Sequence, residues 1–462
     1  MPHAGTNTDM KPAGFELMGA LLAERRTPGV RPRIAIVGGG AGGLELAIRL
    51  SHGLGRNQRA EVLLIDEKLT HLWKPLLHEP AAGSLDERDD VDYLAQARWH
   101  GFEFRLGRLT GIDREHRRLK LAATYSRSGE EVVPARALYY DTLVMAVGSE
   151  TNDLGVAGAK EHCFFLDRAV QAERFQDAML EAYLRAQTQA RPLQAGQLTV
   201  AIVGGGATGV ELAAELRQVA RQFHAYGFNR IDPERDVEIA LIQSNERLLP
   251  ELPPHISATV RMELEQLGVR VFTGQRVTRV DATGLATHAG LHITAAIKVW
   301  AAGIKAPEWL RDLDGLEVNR INQLSVRPTL QTTSDPNVFA FGDCAACPQP
   351  GNDKPVPPRA QAAAQQAQFL AANLPQRLDG RALPSFVYKD RGSLISLGRA
   401  GAVGSLVGHL VNRLAIHGQL ARVMYRLLYK RHQRVLYGTV RVALLTVADW
   451  LVRPTRPRLK LH

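Results

Sequence analysis

The chain has 462 residues, 45% of them hydrophobic and 23% charged, a balance that supports two or three packed domains and excludes a disordered chain. Its three cysteines, Cys163, Cys344 and Cys347, are too few for a disulfide framework and fit a reducing compartment. The net charge of +10 sits at one end: from Arg399 onward twelve Lys and Arg face Asp449 alone, a balance of +11, and the rest of the chain is close to neutral.

Residues 1–31 predict no defined element and are expected to be a flexible extension. The first ten residues hold an acid and no Lys or Arg, unlike the start of a secretory signal. The clearest signal follows as a repeat. Residues 34–50 read IAIVGGGAGGLELAIRL and residues 200–216 read VAIVGGGATGVELAAEL, with twelve of seventeen positions identical. Each copy predicts a buried strand, a Gly-x-Gly-x-x-Gly turn and an amphipathic helix. Gly38 and Gly204 allow the tight turn. Gly40 and Gly206 let a pyrophosphate approach the backbone, and Gly43 and Gly209 pack helix on strand. Ala41 and Thr208 lie at the start of the two helices, whose positive ends suit phosphates.

After the first copy, AEVLLIDEK predicts a strand ending in Asp66, 23 residues past Gly43, where a ribose-binding carboxylate belongs. After the second, VEIALIQ ends in Gln243 instead. A carboxylate repels a 2′-phosphate and an amide does not, so Gln243 predicts weakened discrimination against NADPH. NADH is still the expected donor, with NADPH a second one, because no Arg immediately follows Gln243; Arg247 lies four residues on. The first copy is then the FAD site. Strands 140–149 and 297–306 run into Gly148 and Gly303, and VFAFGDCA (338–345) ends a strand at Asp343, an acid placed to meet a flavin ribityl chain.

Around these motifs the chain resembles the bacterial type II NADH dehydrogenases, the non-pumping NADH:quinone oxidoreductases. The segments that carry the likeness are HLWKPLLHEPAAGSLD (71–86), VWAAGIKAP (299–307), NRINQL (319–324), FGDCAACP (341–348), VPPRAQAAAQQA (356–367) and RPRLKLH (456–462). The resemblance implies an α/β fold of two Rossmann-like dinucleotide-binding domains plus a C-terminal amphipathic membrane-binding module. It divides the chain into FAD-domain segments 32–155 and 311–398, an inserted NADH domain 156–310 and a basic membrane-binding region 399–462. It implies hydride transfer from NADH to FAD and two-electron delivery to a membrane quinone, without proton pumping.

The family's quinone-site signature falls on Ala360, Gln361, Ala363 and Gln365. Gln361 and Gln365 share one helical face, where amides could bond flavin or quinone carbonyls. Lys74 matches a segment lining the flavin, and Glu211 matches a glutamate near the nicotinamide and flavin.

No cysteine precedes Cys163, which argues against thiol–disulfide chemistry and sulfide oxidation, and Cys344-Ala-Ala-Cys347 alone supplies too few ligands for a structural zinc. No metal is expected. From about 405 to 452 the pattern predicts helix, apolar but interrupted by Arg441 and Asp449. That suits an interfacial position on an anionic phospholipid surface better than a span or a nucleic acid. The expected location is the cytoplasmic face of the bacterial inner membrane, held peripherally, with a homodimer compatible with it. The alternatives are a soluble-acceptor diaphorase and an NAD(P)H-binding redox sensor.

Overall fold

The computed structural model describes residues 31–71, 77, 81–83, 91–397, 402–408 and 411–452; the N-terminal 1–30 stretch and Lys74 lie outside them. The first unit begins with strand β1 (Arg33–Val37), helix α1 (Ala41–Leu50), strands β2 (Glu61–Asp66) and β3 (Thr70–His71), helix α2 (Tyr93–His100), and strands β4 (Glu103–Leu106) and β5 (Thr142–Met145). β1, β2 and β5 are almost continuous runs of apolar side chains, as strands covered on both faces require. α1 is buried on nearly every side for the same reason.

The chain then builds a second unit from β6 (Phe164–Phe165), α3 (Ala169–Thr188), β7 (Thr199–Val203), α4 (Ala207–Ala225), β8 (Glu238–Ile242), α5 (Pro254–Gln266), β9 (Val269–Phe272) and β10 (Ile297–Trp300). Its sheet is parallel in the order β6–β10–β7–β8–β9. Strand β11 (Val338–Ala340) afterwards returns to the first sheet beside β5, giving the parallel order β11–β5–β1–β2–β4. In each sheet the glycine turn follows a strand flanked by neighbours reached in opposite directions. The crevice outside the carboxyl ends at such a switch point is where α/β sheets bind ligands.

Helix α6 (Ala360–Leu378) packs on α1, because Gly42 and Ala363 offer no bulk at the crossing. The chain then forms an antiparallel sheet of β12 (Gly392–Ser396), β13 (Ala402–Gly408) and β14 (Val411–His417) before the terminal helix α7 (Gly418–Val452). The helix expected from about 405 therefore starts only at Gly418. Gly404 and Gly408 disfavour helix, and β12 offers an edge against which 402–406 pairs residue by residue. The sheet packs on the second unit, where Ile395, Leu397 and Val403 join the core, whereas Leu436 of α7 joins the first core.

α7 is broken at Gly438 (φ 77°, ψ 166°). By length and composition Tyr429–Val452 could cross a membrane. The break leaves only 439–452 beyond the turn, however, and Val440, Leu444 and Trp450 there are 74%, 65% and 72% exposed.

Candidate functional site

The two glycine turns have the same geometry and the same division of labour. Gly38 and Gly204 have φ of +102° and +116°, and a Cβ on either would strike the carbonyl oxygen of Ala146 or Ala301 at 2.4 and 2.6 Å. A Cβ on Gly43 or Gly209 would come within 1.9 Å of the Gly38 or Gly204 carbonyl oxygen. These four positions are glycine for the protein's own packing. Gly40 and Gly206, which cap the N-termini of α1 and α4, face open space: no atom lies within 4 Å of an added Cβ. Room there, at the positive end of a long helix, fits a pyrophosphate. Ala41 and Thr208 lie in the first turns of the same helices.

Asp66 and Gln243 also hold equivalent places. The Gly39 N–H donates to Asp66 Oδ2 at 2.6 Å, and the Gly205 N–H donates to Gln243 Oε1 at 3.2 Å. Burial raises the Asp66 pKa, opposed by N–H donation from Gly39 and Lys68. Arg247 is committed to the protein itself, donating to the carbonyls of Leu252 and Pro250 at 2.6 Å each and to Ser257 Oγ at 3.2 Å. Gly303 (φ +70°) packs near Leu154 at ordinary distance, and Gly148 (φ +72°) faces open space.

Gly148 and Asp343 approach each other across the first sheet. Ser149 Oγ donates to Asp343 Oδ2 at 2.8 Å, and Gln323 Nε2 donates to the Asp343 carbonyl at 2.9 Å. Gln366, fully buried on α6, accepts from the Gly342 N–H at 2.8 Å and so fixes the turn that carries Asp343. In the sequence Gln366 carries no signal of its own, because the motif falls on its neighbour Gln365.

A clamped segment bridges the two units. Gln361 donates to the Gly392 carbonyl at 3.0 Å and accepts from the Arg391 N–H at 3.2 Å, while Gln365 accepts from and donates to the main chain of Lys389 at 3.0 and 2.9 Å. Both amides of the motif thus engage the main chain of 389–392. Ala360 opens the same helix, just after Arg359. From the other unit, buried Glu211 accepts from the Ser396 N–H at 2.9 Å and Gln218 donates to the Leu397 carbonyl at 3.1 Å.

Arg359 closes the junction, reaching Glu251 at 2.6 Å and Asp390 at 3.7 Å. Burial lowers its pKa, but the Glu251 bond and the surrounding acids outweigh this and leave it raised. Arg359 stands immediately before the Ala-Gln motif, and only the fold reveals that its partner lies in the other unit.

Cys344 and Cys347 are buried thiols pushed up to about 11 by desolvation, and Cys163 is pushed to about 12. Among the described residues no group of His, Cys, Asp and Glu could hold a metal ion.

Two such cradles on two parallel sheets define a flavin- and pyridine-nucleotide-dependent oxidoreductase, and residues 32–367 match the pyridine nucleotide-disulphide oxidoreductase family. The chain is 43% identical, over 93% of its length and 99% of the relative's, to the type II NADH:quinone oxidoreductase of Haemophilus influenzae. It is 28% identical, over 82% of its length and 80% of the relative's, to the type II enzyme Ndh of Mycobacterium tuberculosis. The fold superposes on NDH2 from Plasmodium falciparum in complex with NADH with a TM-score of 0.74 at 19% identity, covering 93% of this chain and all of that one. The chain belongs to the type II NADH:quinone oxidoreductases. It oxidises NADH with quinone as acceptor and uses FAD.

Proposed function

We propose that the cradle at Gly40 and Asp66 holds FAD and that the cradle at Gly206 and Gln243 holds NADH. Support comes from the space at the two capping glycines and from the acid and the amide at the matching strand ends. Asp66 keeps acceptor capacity for ribose hydroxyls beyond its two backbone bonds, and Asp343, steadied by Ser149, Gln323 and Gln366, faces the ribityl side. Bound FAD supplies the two-electron carrier between nicotinamide and quinone. The chain's residues hold the two partners in register around it, which is where most of the advantage of a shared site arises.

The acceptor pocket in this reading lies against α6 and the clamped strand β12. Gln361 and Gln365 shape its wall by fixing 389–392, and Glu211 fixes the other end of the strand from the nicotinamide side. Glu211 is also the proton-exchanging group when quinone is reduced. Lys74 is assigned to the flavin edge by its motif alone. The observation that carries the reading is the double clamp itself, since one short segment is bonded at one end to α6, which packs on the helix of the first cradle, and at the other to the helix of the second.

The protein acts on the cytoplasmic face of the inner membrane, its basic tail and apolar 439–452 segment on anionic phospholipid. A homodimer would set two such tails on one surface.

Rapid mixing separates the two half-reactions. Gln361→Ala should leave bleaching of the flavin by NADH unchanged and slow its recovery with a short-chain quinone. Gly206→Ala should do the reverse. Equal slowing of both steps by Gln361→Ala would overturn the assignment of α6 and β12 to the acceptor side.

A further inference from the structure

We propose that the membrane-contacting surface is composite: Trp99, on helix α2 of the first unit, sits beside α7 at the level of anionic phospholipid headgroups. The inference rests on the membrane reading of α7 given above and adds a second element to it.

Trp99 lies in the last turn of α2 and is 46% exposed. Its ring meets Tyr437 edge-on with centroids 6.2 Å apart, and the Arg441 guanidinium lies over the indole at 4.7 Å. One residue on, His100 Nε2 pairs with the Leu436 carbonyl at 2.8 Å, and His100 Nδ1 pairs with His52 at 2.9 Å. The end of α2 is therefore fixed to α7 on both sides of Gly438, where α7 turns and its apolar 439–452 segment leaves the body.

This placement names the partner. An indole half in and half out of the protein, capped by a guanidinium, is the arrangement favoured where an apolar phase meets charged headgroups. The surface is continuous with the exposed Val440 and Leu444. Two cations lie at the patch: Arg56 and Arg441 are both close enough to His100 to oppose its protonation. A neutral protein groove would not need these cations, whereas an anionic leaflet attracts each of them. A second copy of this chain would bring the same cations against themselves.

The test uses full-length flavoprotein and vesicles of phosphatidylcholine with phosphatidylglycerol, made with and without bromine on the acyl chains. In a Trp450→Phe background, the emission lost on adding Trp99→Phe isolates Trp99 among the five tryptophans. Bromolipid should quench and blue-shift that component, and Trp99→Gln should weaken vesicle partition about tenfold while NADH still bleaches the flavin normally. Flotation of the same samples distinguishes the two readings. Protein that floats with an unquenched Trp99 component overturns the composite surface and leaves the tail's membrane contact standing. Protein that does not float at all overturns both. A red shift of the Trp99 component on dilution without lipid would assign the patch to self-association and overturn the proposal too.

Discussion

Asp66 and Gln243 make the same backbone bond in two copies of one unit, yet one carries a charge and the other does not. The amide keeps the turn closed without repelling a phosphate. Arg247 cannot compensate, since its guanidinium is committed to Pro250 and Leu252. NADPH should therefore be a poor substrate for lack of a cation, and Gln243→Glu should make it poorer still. A full charge near the 2′-phosphate predicts about tenfold more discrimination in kcat/KM, measured as the NADH to NADPH ratio; an unchanged ratio would remove position 243 from nucleotide recognition. The glycines separate in the same way. Gly40→Ala should fold with an unchanged melting temperature and lose FAD affinity, because its Cβ enters open space. Gly43→Ala should cost about 3 kcal/mol or more of stability, because its Cβ meets a carbonyl oxygen with no room to move.

At the scale of elements, strands β1, β2, β7 and β8 and both glycine-led helices were legible in the residues, since buried runs and fixed glycine spacing are local signals. Helix α6 was legible as well. What its glutamines touch was not, because spacing puts Gln361 and Gln365 on one face without saying which segment covers it. The β13–β14 hairpin differs from the helix expected from about 405 for a related reason: its apolar residues suit either state, and only the edge of β12 decides. Docking of α7 onto the first unit depends on contacts of this non-local kind. His71 is buried with no hydrogen-bond partner for Nε2 among the described residues, and partly buried His432 lies 5.7 Å away in T-shaped contact. Burial depresses them to about 3 and about 4 from an ordinary 6.5. The unfolded chain takes up protons near 6.5 and the folded one does not, so stability is full above that value and falls as pH drops toward 4. Melting temperatures should decline between pH 7 and 5, and the decline should be shallower in His71→Leu. An identical pH slope in that variant would show that other groups control acid sensitivity.

Seen whole, the molecule joins both cradles to a C-terminal helix whose length sets how it can meet a membrane. Among the described residues the helix after Gly438 has fourteen residues, 439–452, roughly 21 Å against about 30 Å of hydrocarbon. It is too short to cross, it holds Arg441 and Asp449, and the helix before Gly438 is fixed to the first unit through Leu436 and His100. The geometry suits a helix lying in the interface, where apolar burial and the basic residues act together. Such binding is partly electrostatic, and the Debye length shrinks from about 10 Å at 0.1 M salt to about 3 Å at 1 M. Partition onto anionic vesicles should fall steeply over that range and be weak on neutral ones. Removal of residues 439–462 should abolish partition yet preserve bound FAD and its bleaching by NADH, since both cradles close before residue 398. Salt-independent binding that survives alkaline extraction would instead require a crossing helix, with Gly438 straightened and the contacts at Trp99 broken.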